Sequence, residues 1–488
     1  MSLKVRGVLQ KFFVLIAFII LSGIVVYKAL YIPITHDEKS ATVYYATLPV
    51  KGIIESDIWP SNHILNSLLI KLCENLFGFE VWSVRLPNML AFVLLFVATW
   101  LLAKRYFDKP ALLFCVPFFV MFCNPFLLDF FGLARGYGLS NALLVCSVYC
   151  LLVFASSFRR QWYYATIVFA MLAAYANFTL LIFWVAVHIL LISLYLYHAV
   201  KNKSSVADIA QRLFATALIN AAFVALCYTP IVKMQATNQF VYWLKEDFYK
   251  NTVRDSVENF LYGRDYRYFN VTTLLKFITI TTCTAIVLAG VRAIRNFGLL
   301  LTNPLFITGA LLLLVWGVNM LQAGLLGTPY LSGRTALSYY VLFALLFMFT
   351  VREVITYIRA LDWVLSPLIA LFLGLHLYYA ADFNHVREWW YDANTYRVLD
   401  YLDNYRKEHP ETKTIDLNTN WHYHPSFSFY TITGKTPWLN LTDYHKETDT
   451  ASQTMFYYVF FDDPPLKNYE KVMDFPWEGG ALFKKVNP

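Results

Sequence analysis

Two adjacent carboxylates, Asp37 and Glu38, stand directly after His36 in a chain of 488 residues. Neighbouring carboxylates repel, so one of them should carry a raised pKa unless a cation or metal lies close by. In a partly dehydrated pocket, one could act as a general base while the other orients an acceptor or helps hold a divalent ion. The bland alternative is a solvated turn that uses both only as surface charge. His36 and His63 are candidate further ligands, although lone histidines more often serve as hydrogen-bonding bystanders. Asp129 and Arg135 are six positions apart, and Arg334 sits in the run Tyr330-Leu331-Ser332-Gly333-Arg334-Thr335. Arg264, Asp265 and Arg267 form a further charged group. An arginine's planar fork suits a phosphate, through paired charge-assisted bonds, whereas a snorkelling anchor needs only the charge at the interface. His422 and His424 could chelate from a strand, but Trp421, Tyr423 and Pro425 beside them favour packing.

The elements that must position these groups are apolar. Hydrophobic residues make up 58% of the chain and charged residues 15%, which is more apolar surface than a soluble core could bury. A bilayer accepts it, because helices of about 20 residues satisfy their own backbone hydrogen bonds. The sequence therefore predicts a polytopic all-α membrane protein with about 11 transmembrane helices, large extracytoplasmic loops and a small C-terminal α/β domain. The spans read as 12–31, 84–103, 110–127, 137–156, 161–175, 177–198, 209–230, 272–296, 303–323, 335–352 and 362–381, the fifth and sixth being readable as one stretch broken near Asn177. If the N-terminus is cytoplasmic, every cytoplasmic break is short and basic. These breaks hold Lys4, Arg6 and Lys11; Lys104, Arg105 and Lys109; Arg159 and Arg160; Lys201, Lys203 and Arg212; Arg292 and Arg295; and Arg352 and Arg359. That is the positive-inside pattern. The net charge of +8 is then accounted for by loops meeting anionic lipid and implies no nucleic-acid partner.

Residues 1–381 form the expected transmembrane domain, with extracytoplasmic loops at about 32–83 and 231–271. His63–Phe77 has the spacing of an amphipathic helix along the interface. The first span is expected to be an uncleaved helix rather than a signal peptide. Residues 382–488 form the soluble extracytoplasmic domain, with a helix over Asn394–Lys407 and strands near 414–417, 455–461 and 481–486. The seven cysteines are scattered without a CxxC motif, so neither disulfides nor a thiolate metal site is expected. No internal repeat or nucleotide-binding glycine loop is present.

Four stretches together resemble the glycosyltransferase C superfamily, and within it the bacterial branch of protein O-mannosyltransferases and the lipid A aminoarabinose transferase. They are Thr35-His36-Asp37-Glu38, then Trp59-Pro60-Ser61-Asn62-His63-Ile64-Leu65-Asn66, then the Arg85-Leu86-Pro87 entry into the second span, then Ala134-Arg135-Gly136-Tyr137. Gly333-Arg334-Thr335 is a weaker match. Two features depart from the family pattern. Ile64 and Leu65 follow His63 where the family has prolines, and Leu133 stands where it has a glutamate before Ala134. Asp129, four residues earlier, could take that glutamate's place.

The resemblance implies an inverting glycosyltransferase in the bacterial cytoplasmic membrane, moving a sugar from a polyprenyl-phosphate donor to an acceptor on the extracytoplasmic face. The acceptor could be a protein, a lipid or a glycan. In that reading Asp37 is the base, with Glu38 and Asp129 orienting it or helping to hold a divalent cation of the Mg or Mn type, and His63 as a further ligand. Oxygen ligands suit such hard ions. Arg334, Arg264 and Arg135 would bind the donor phosphate, and His36, His63, Tyr137 and Trp243 would line the substrate. Phe240, Tyr242, Trp243 and Phe248 could stack on sugar rings, cover a groove, or simply anchor the loop at the interface. No nucleotide cofactor is expected. The competing classes are a transporter or flippase of lipid-linked substrates, which should show ionisable groups at span midpoints and symmetric halves, and a non-catalytic assembly subunit.

Overall fold

A computed structural model describes residues 3–55, 62–237, 247–295, 297–450, 452–477 and 479–486. Among them, nine helices are long and apolar enough to cross a membrane: Val5–Tyr31, Val81–Tyr106, Gly136–Ser157, Phe178–Lys201, Val206–Ala236, Val271–Arg295, Pro304–Leu326, Gly333–Tyr357 and Arg359–Ala380. The chain is a polytopic, largely helical membrane protein.

Two of the eleven expected spans do not become helices long enough to cross a membrane by themselves. The stretch 110–127 becomes an apolar helix at Leu113–Phe122 and a separate turn, Pro125–Asp129. Pro125 has no N–H with which to continue the ladder, and Asn124 caps the new turn by accepting from the Leu127 N–H at 3.2 Å. The stretch 161–175 becomes Arg160–Ala176, whose 17 residues reach only about 25 Å. It ends at Asn177, which is extended (φ −158°, ψ 113°) and caps the next turn through the Thr179 N–H at 3.1 Å.

Burial separates the helices into a centre and a rim. Of the apolar window of Gly136–Ser157, 94% is enclosed by protein, against 17–22% for Val5–Tyr31, Val206–Ala236, Val271–Arg295 and Arg359–Ala380. A helix that is apolar all round belongs in the middle of a bundle. This central helix begins immediately after Arg135, so its N-terminus is a fixed point against which the candidate residues are set.

The C-terminal segment holds a helix, Thr395–Glu408, and a five-stranded sheet in the order β2-β1-β3-β5-β4. The strands are β1 Ile415–Thr419, β2 Leu439–Leu441, β3 Phe456–Phe460, β4 Tyr469–Phe475 and β5 Gly480–Lys485. β1 pairs in parallel with β2 and β3, whereas β5 runs antiparallel to β3 and β4. The sequence pattern located the first helix, β1, β3 and β5. It missed β2, β4 and the helix His424–Ile432. β2 is only three residues long, and β4 is mostly solvated, so neither displays a clear period-two pattern.

This segment shares a core with the membrane-proximal loop. Ile34, Ala41, Ala46, Ile70, Val84 and Ala134 pack in one cluster with Val398, Leu402, Phe427, Tyr430 and Leu482. The Ile34 N–H donates to the Tyr430 hydroxyl at 3.0 Å, and Lys435 pairs with Glu80 at 2.7 Å.

Candidate functional site

The short helix His36–Lys39 presents its two carboxylates to different partners. Glu38 is fully buried. Its Oε1 accepts from Arg85 Nε at 2.8 Å and from the Ala134 N–H at 2.5 Å. Its Oε2 accepts from Arg85 Nη2 at 2.6 Å and from the Thr35 N–H at 2.9 Å. The last of these caps the start of its own helix. Arg85, equally buried, spends its remaining donors on the carbonyls of Ala29, Ile32 and Pro33. Three of the motif stretches thus meet at one carboxylate, and that carboxylate has no coordination left to offer.

Asp37 faces the other way. Its Oδ2 lies 3.1 Å from Arg334 Nη2 and 3.4 Å from Arg135 Nη2, and Arg135 Nη1 also donates to the Asp37 carbonyl at 3.3 Å. Its side chain remains 20% exposed and that of Arg334 29%, whereas Arg135 is buried. Burial pushes the Asp37 carboxyl up, but the guanidiniums of Arg135 and Arg334 outweigh it and leave its pKa below the usual carboxylate range. The two adjacent carboxylates therefore avoid mutual repulsion because each has its own arginine partners.

Arg334 is the hub. Its Nε donates to the Tyr137 hydroxyl at 3.2 Å, its Nη1 pairs with Glu388, and its guanidinium lies over the Trp389 ring at 5.1 Å. The residue before it, Gly333, holds φ at +53°, where a side chain would be strained, and donates its N–H to Asp255. Tyr137 in turn packs edge-on against His63, with ring centroids 4.7 Å apart. Gly136 makes that contact possible, because a Cβ there would stand 2.7 Å from the Cβ of His63. His63 is buried, and its Nε2 has no hydrogen-bond partner among the described residues. Burial, followed by the nearby Arg135 and Arg334 charges, holds its pKa well below the ordinary histidine value.

The remaining expected residues take other positions. Asp129 is buried in a separate cluster, where it pairs with Lys28, accepts from the Tyr262 hydroxyl at 2.8 Å and accepts from the Arg387 N–H at 3.1 Å. It does not stand in for a glutamate beside Arg135. His36 docks the C-terminal segment, with its N–H to Asp392 at 2.7 Å and its ring Nδ1 2.9 Å from the His422 carbonyl. Arg264 is exposed, and no contact joins it to Asp37, Arg135 or Arg334 among the described residues. Phe248 packs among Trp316, Tyr330 and Tyr339, as an anchor would. Phe240, Tyr242 and Trp243 lie outside the described residues. His422 stacks on Phe460 at 4.9 Å and His424 Nε2 bonds the Thr442 carbonyl, so both pack rather than chelate.

Asp37, Glu38, Asp129 and His63 do not assemble into a metal centre: no group of three or more His, Cys, Asp or Glu side chains gathers among the described residues. The donor chemistry argues the same way. Glu38 is saturated by Arg85, Asp129 by Lys28 and Tyr262, and Asp37 faces two cations, so in this arrangement the set does not fit a divalent ion.

Sequence reasoning missed Lys28, Tyr262, Asp255, Glu388, Trp389 and Asp392. Lys28 carried a usable signal, since a cation inside an apolar span needs a partner. Glu388 and Asp392 carried none, lying in a stretch without clear period.

No family model and no curated protein matches the chain. Among solved structures, ArnT from Cupriavidus metallidurans bound to undecaprenyl phosphate is similar at a TM-score of 0.45 and 13% identity, covering 100% of both chains. Its apo state gives a TM-score of 0.46 at 12% identity, over 98% of this chain and 99% of that one. A likeness at that level assigns neither fold nor activity.

Proposed function

We propose that this protein transfers a sugar from a polyprenyl-phosphate carrier to an acceptor at the membrane surface that carries the C-terminal segment, with inversion at the anomeric carbon. The observation that carries the reading is the Asp37 carboxylate held between Arg135 and Arg334, partly open, where a loop, the central helix and another span meet. The sequence resemblance of the same stretches supplies the donor class. The positive-inside pattern supports reading this surface as extracytoplasmic.

The arrangement suits an exchange of anions. The donor phosphate competes with Asp37 for the two guanidiniums and takes them as paired charge-assisted bonds. Losing those cations raises the basicity of Asp37 at the moment an acceptor hydroxyl arrives. The acceptor oxygen then attacks the anomeric carbon, its proton passes to Asp37, and the bond from that carbon to the phosphate oxygen breaks. The electron pair stays on the carrier phosphate, where Arg334 and Arg135 stabilise the developing charge. Glu388 and Tyr137 hold Arg334 in place during the exchange. An acceptor that is already an anion needs no proton removed, and Asp37 would then orient it.

The decisive experiment incubates reconstituted full-length protein with a mixture of carrier-lipid sugars and candidate acceptors and follows the glycans by mass spectrometry. Asp37→Asn should fold and bind carrier lipid while losing transfer about 10²–10⁴-fold. Undiminished transfer by that variant would remove Asp37 from the chemistry. Retention of carrier with no product from any acceptor, even in the wild-type protein, would favour the transport reading.

A further inference from the structure

The membrane end opposite Asp37 contains a second, unrelated cavity. The central helix starts beside Arg135 and ends at Ser157, 22 residues later, or about 33 Å away, which is roughly one bilayer thickness. Around that far end lies a cavity of about 320 Å³. Phe154 and Phe158 form part of its wall, together with Tyr164, Tyr195 and His198, and Arg160 and Arg212 also line it.

Two arginines line this space, and neither is paired with a carboxylate among the described residues. Arg212 lies across Tyr195 at 4.7 Å and Tyr163 at 5.7 Å, and Tyr163 is itself fixed by a 3.0 Å hydrogen bond to Thr216. Arg160 lies over Tyr164 at 5.4 Å. Neither forms a salt bridge among the described residues. Stacking through the ring face orients a guanidinium but leaves its N–H edge available for an anion. Two further polar atoms of residues around the cavity are buried and have no hydrogen-bond partner among the described residues: the Tyr164 hydroxyl and His198 Nε2. Native structures leave few buried polar groups unsatisfied. The one carboxylate lining the cavity, Asp208, is engaged at the start of its own helix, taking the Ser205 hydroxyl at 2.6 Å.

We infer that this cavity binds the phosphate of an anionic membrane lipid. Two stacked guanidiniums supply the charge. His198 stacks on Phe158 with ring centroids 3.3 Å apart, and both rings form part of the cavity wall. The site is about a bilayer away from Asp37, so its occupant is not the donor phosphate proposed to bind there. Its location at helix ends, with apolar spans below, suits a headgroup whose chains remain in the membrane.

The test uses delipidated full-length protein in detergent and native mass spectrometry with added phosphatidylglycerol or phosphatidylcholine. Wild-type protein should retain phosphatidylglycerol at least about tenfold over phosphatidylcholine, and the Arg160→Gln/Arg212→Gln variant should lose that preference. Arg160→Gln alone, at an exposed position whose loss leaves the fold intact, should reduce it severalfold. Unchanged retention in both variants would overturn the assignment. Displacement of the lipid by an equal concentration of inorganic phosphate would also overturn it, by showing a soluble anion to be the occupant.

Discussion

Asp37 and Glu38 are neighbours with the same chemistry and opposite fates. Glu38 and Arg85 are both closed off from solvent, and each oxygen of Glu38 accepts two hydrogen bonds. Asp37 shares its oxygen between two arginines at longer distances, and both it and Arg334 remain partly open. The first centre ties the loop to two helices and has nothing left over. The second has replaceable partners. A carboxylate–arginine pair is therefore not a functional signature by itself; spare coordination and access are what distinguish the two.

The sharpest way to break that contrast is to remove one partner of the closed pair. Glu38→Ala should destabilise the protein by about 3–5 kcal/mol, because Arg85 is left as an unpaired buried charge. Thermal unfolding in detergent measures this. Replacing both partners, as Glu38→Leu with Arg85→Met, should recover only part of the loss, since the Thr35 and Ala134 N–H groups would still lack their acceptor. A loss no larger than that of Asp37→Asn would show that the two centres do not differ in kind.

At the open pair the effect should fall on turnover instead. Arg334→Lys keeps the charge but cannot serve Asp37, Tyr137 and Glu388 at once. Carrier-dependent transfer should drop about 30–150-fold, as expected for one lost partner of a hydrogen-bonded charge set worth roughly 2–3 kcal/mol. The unfolding midpoint should move little. If the midpoint falls as far as in Glu38→Ala, Arg334 is structural.

A smaller effect separates the centres by pH. His63 is held neutral in the folded protein, with its pKa well below the ordinary value, which is about 6.5. The unfolded chain binds the extra proton first, so the contribution of His63 to stability is present above about pH 6.5 and is lost as pH falls toward the folded value. Asp37, whose pKa is lowered, loses its contribution only at much more acidic pH. The unfolding midpoint of the wild-type protein relative to that of His63→Asn should therefore decline from pH 7.5 to 5.5. Parallel curves would show that His63 titrates as a solvated histidine.

Much of the architecture could be read from the sequence because span length and apolarity are local and additive. The runs ending near Tyr31, Tyr106 and Ser157 could be placed within a few residues by counting. Where the count overreached, at 110–127, Pro125 divided a run that composition alone would join; the break near Asn177 was legible and stands. Asp37, Arg135 and Arg334 were named as candidates from charge at span ends. That they meet was implied by the resemblance and not by local charge, and nothing in the sequence showed the withdrawal of Glu38, Asp129 and Arg264 from that site.

The sequence alone thus determined a multi-spanning membrane protein with a polar C-terminal segment and the short list of groups able to do chemistry. Only tertiary structure decided which of them face each other. Arg135 reaches Asp37 across 98 positions and Arg334 across 297. Partnership at such separations is set by the packing of whole helices, where a buried charge must find a counter-charge or stay unpaired at a cost of several kcal/mol. Local composition contains no record of that choice.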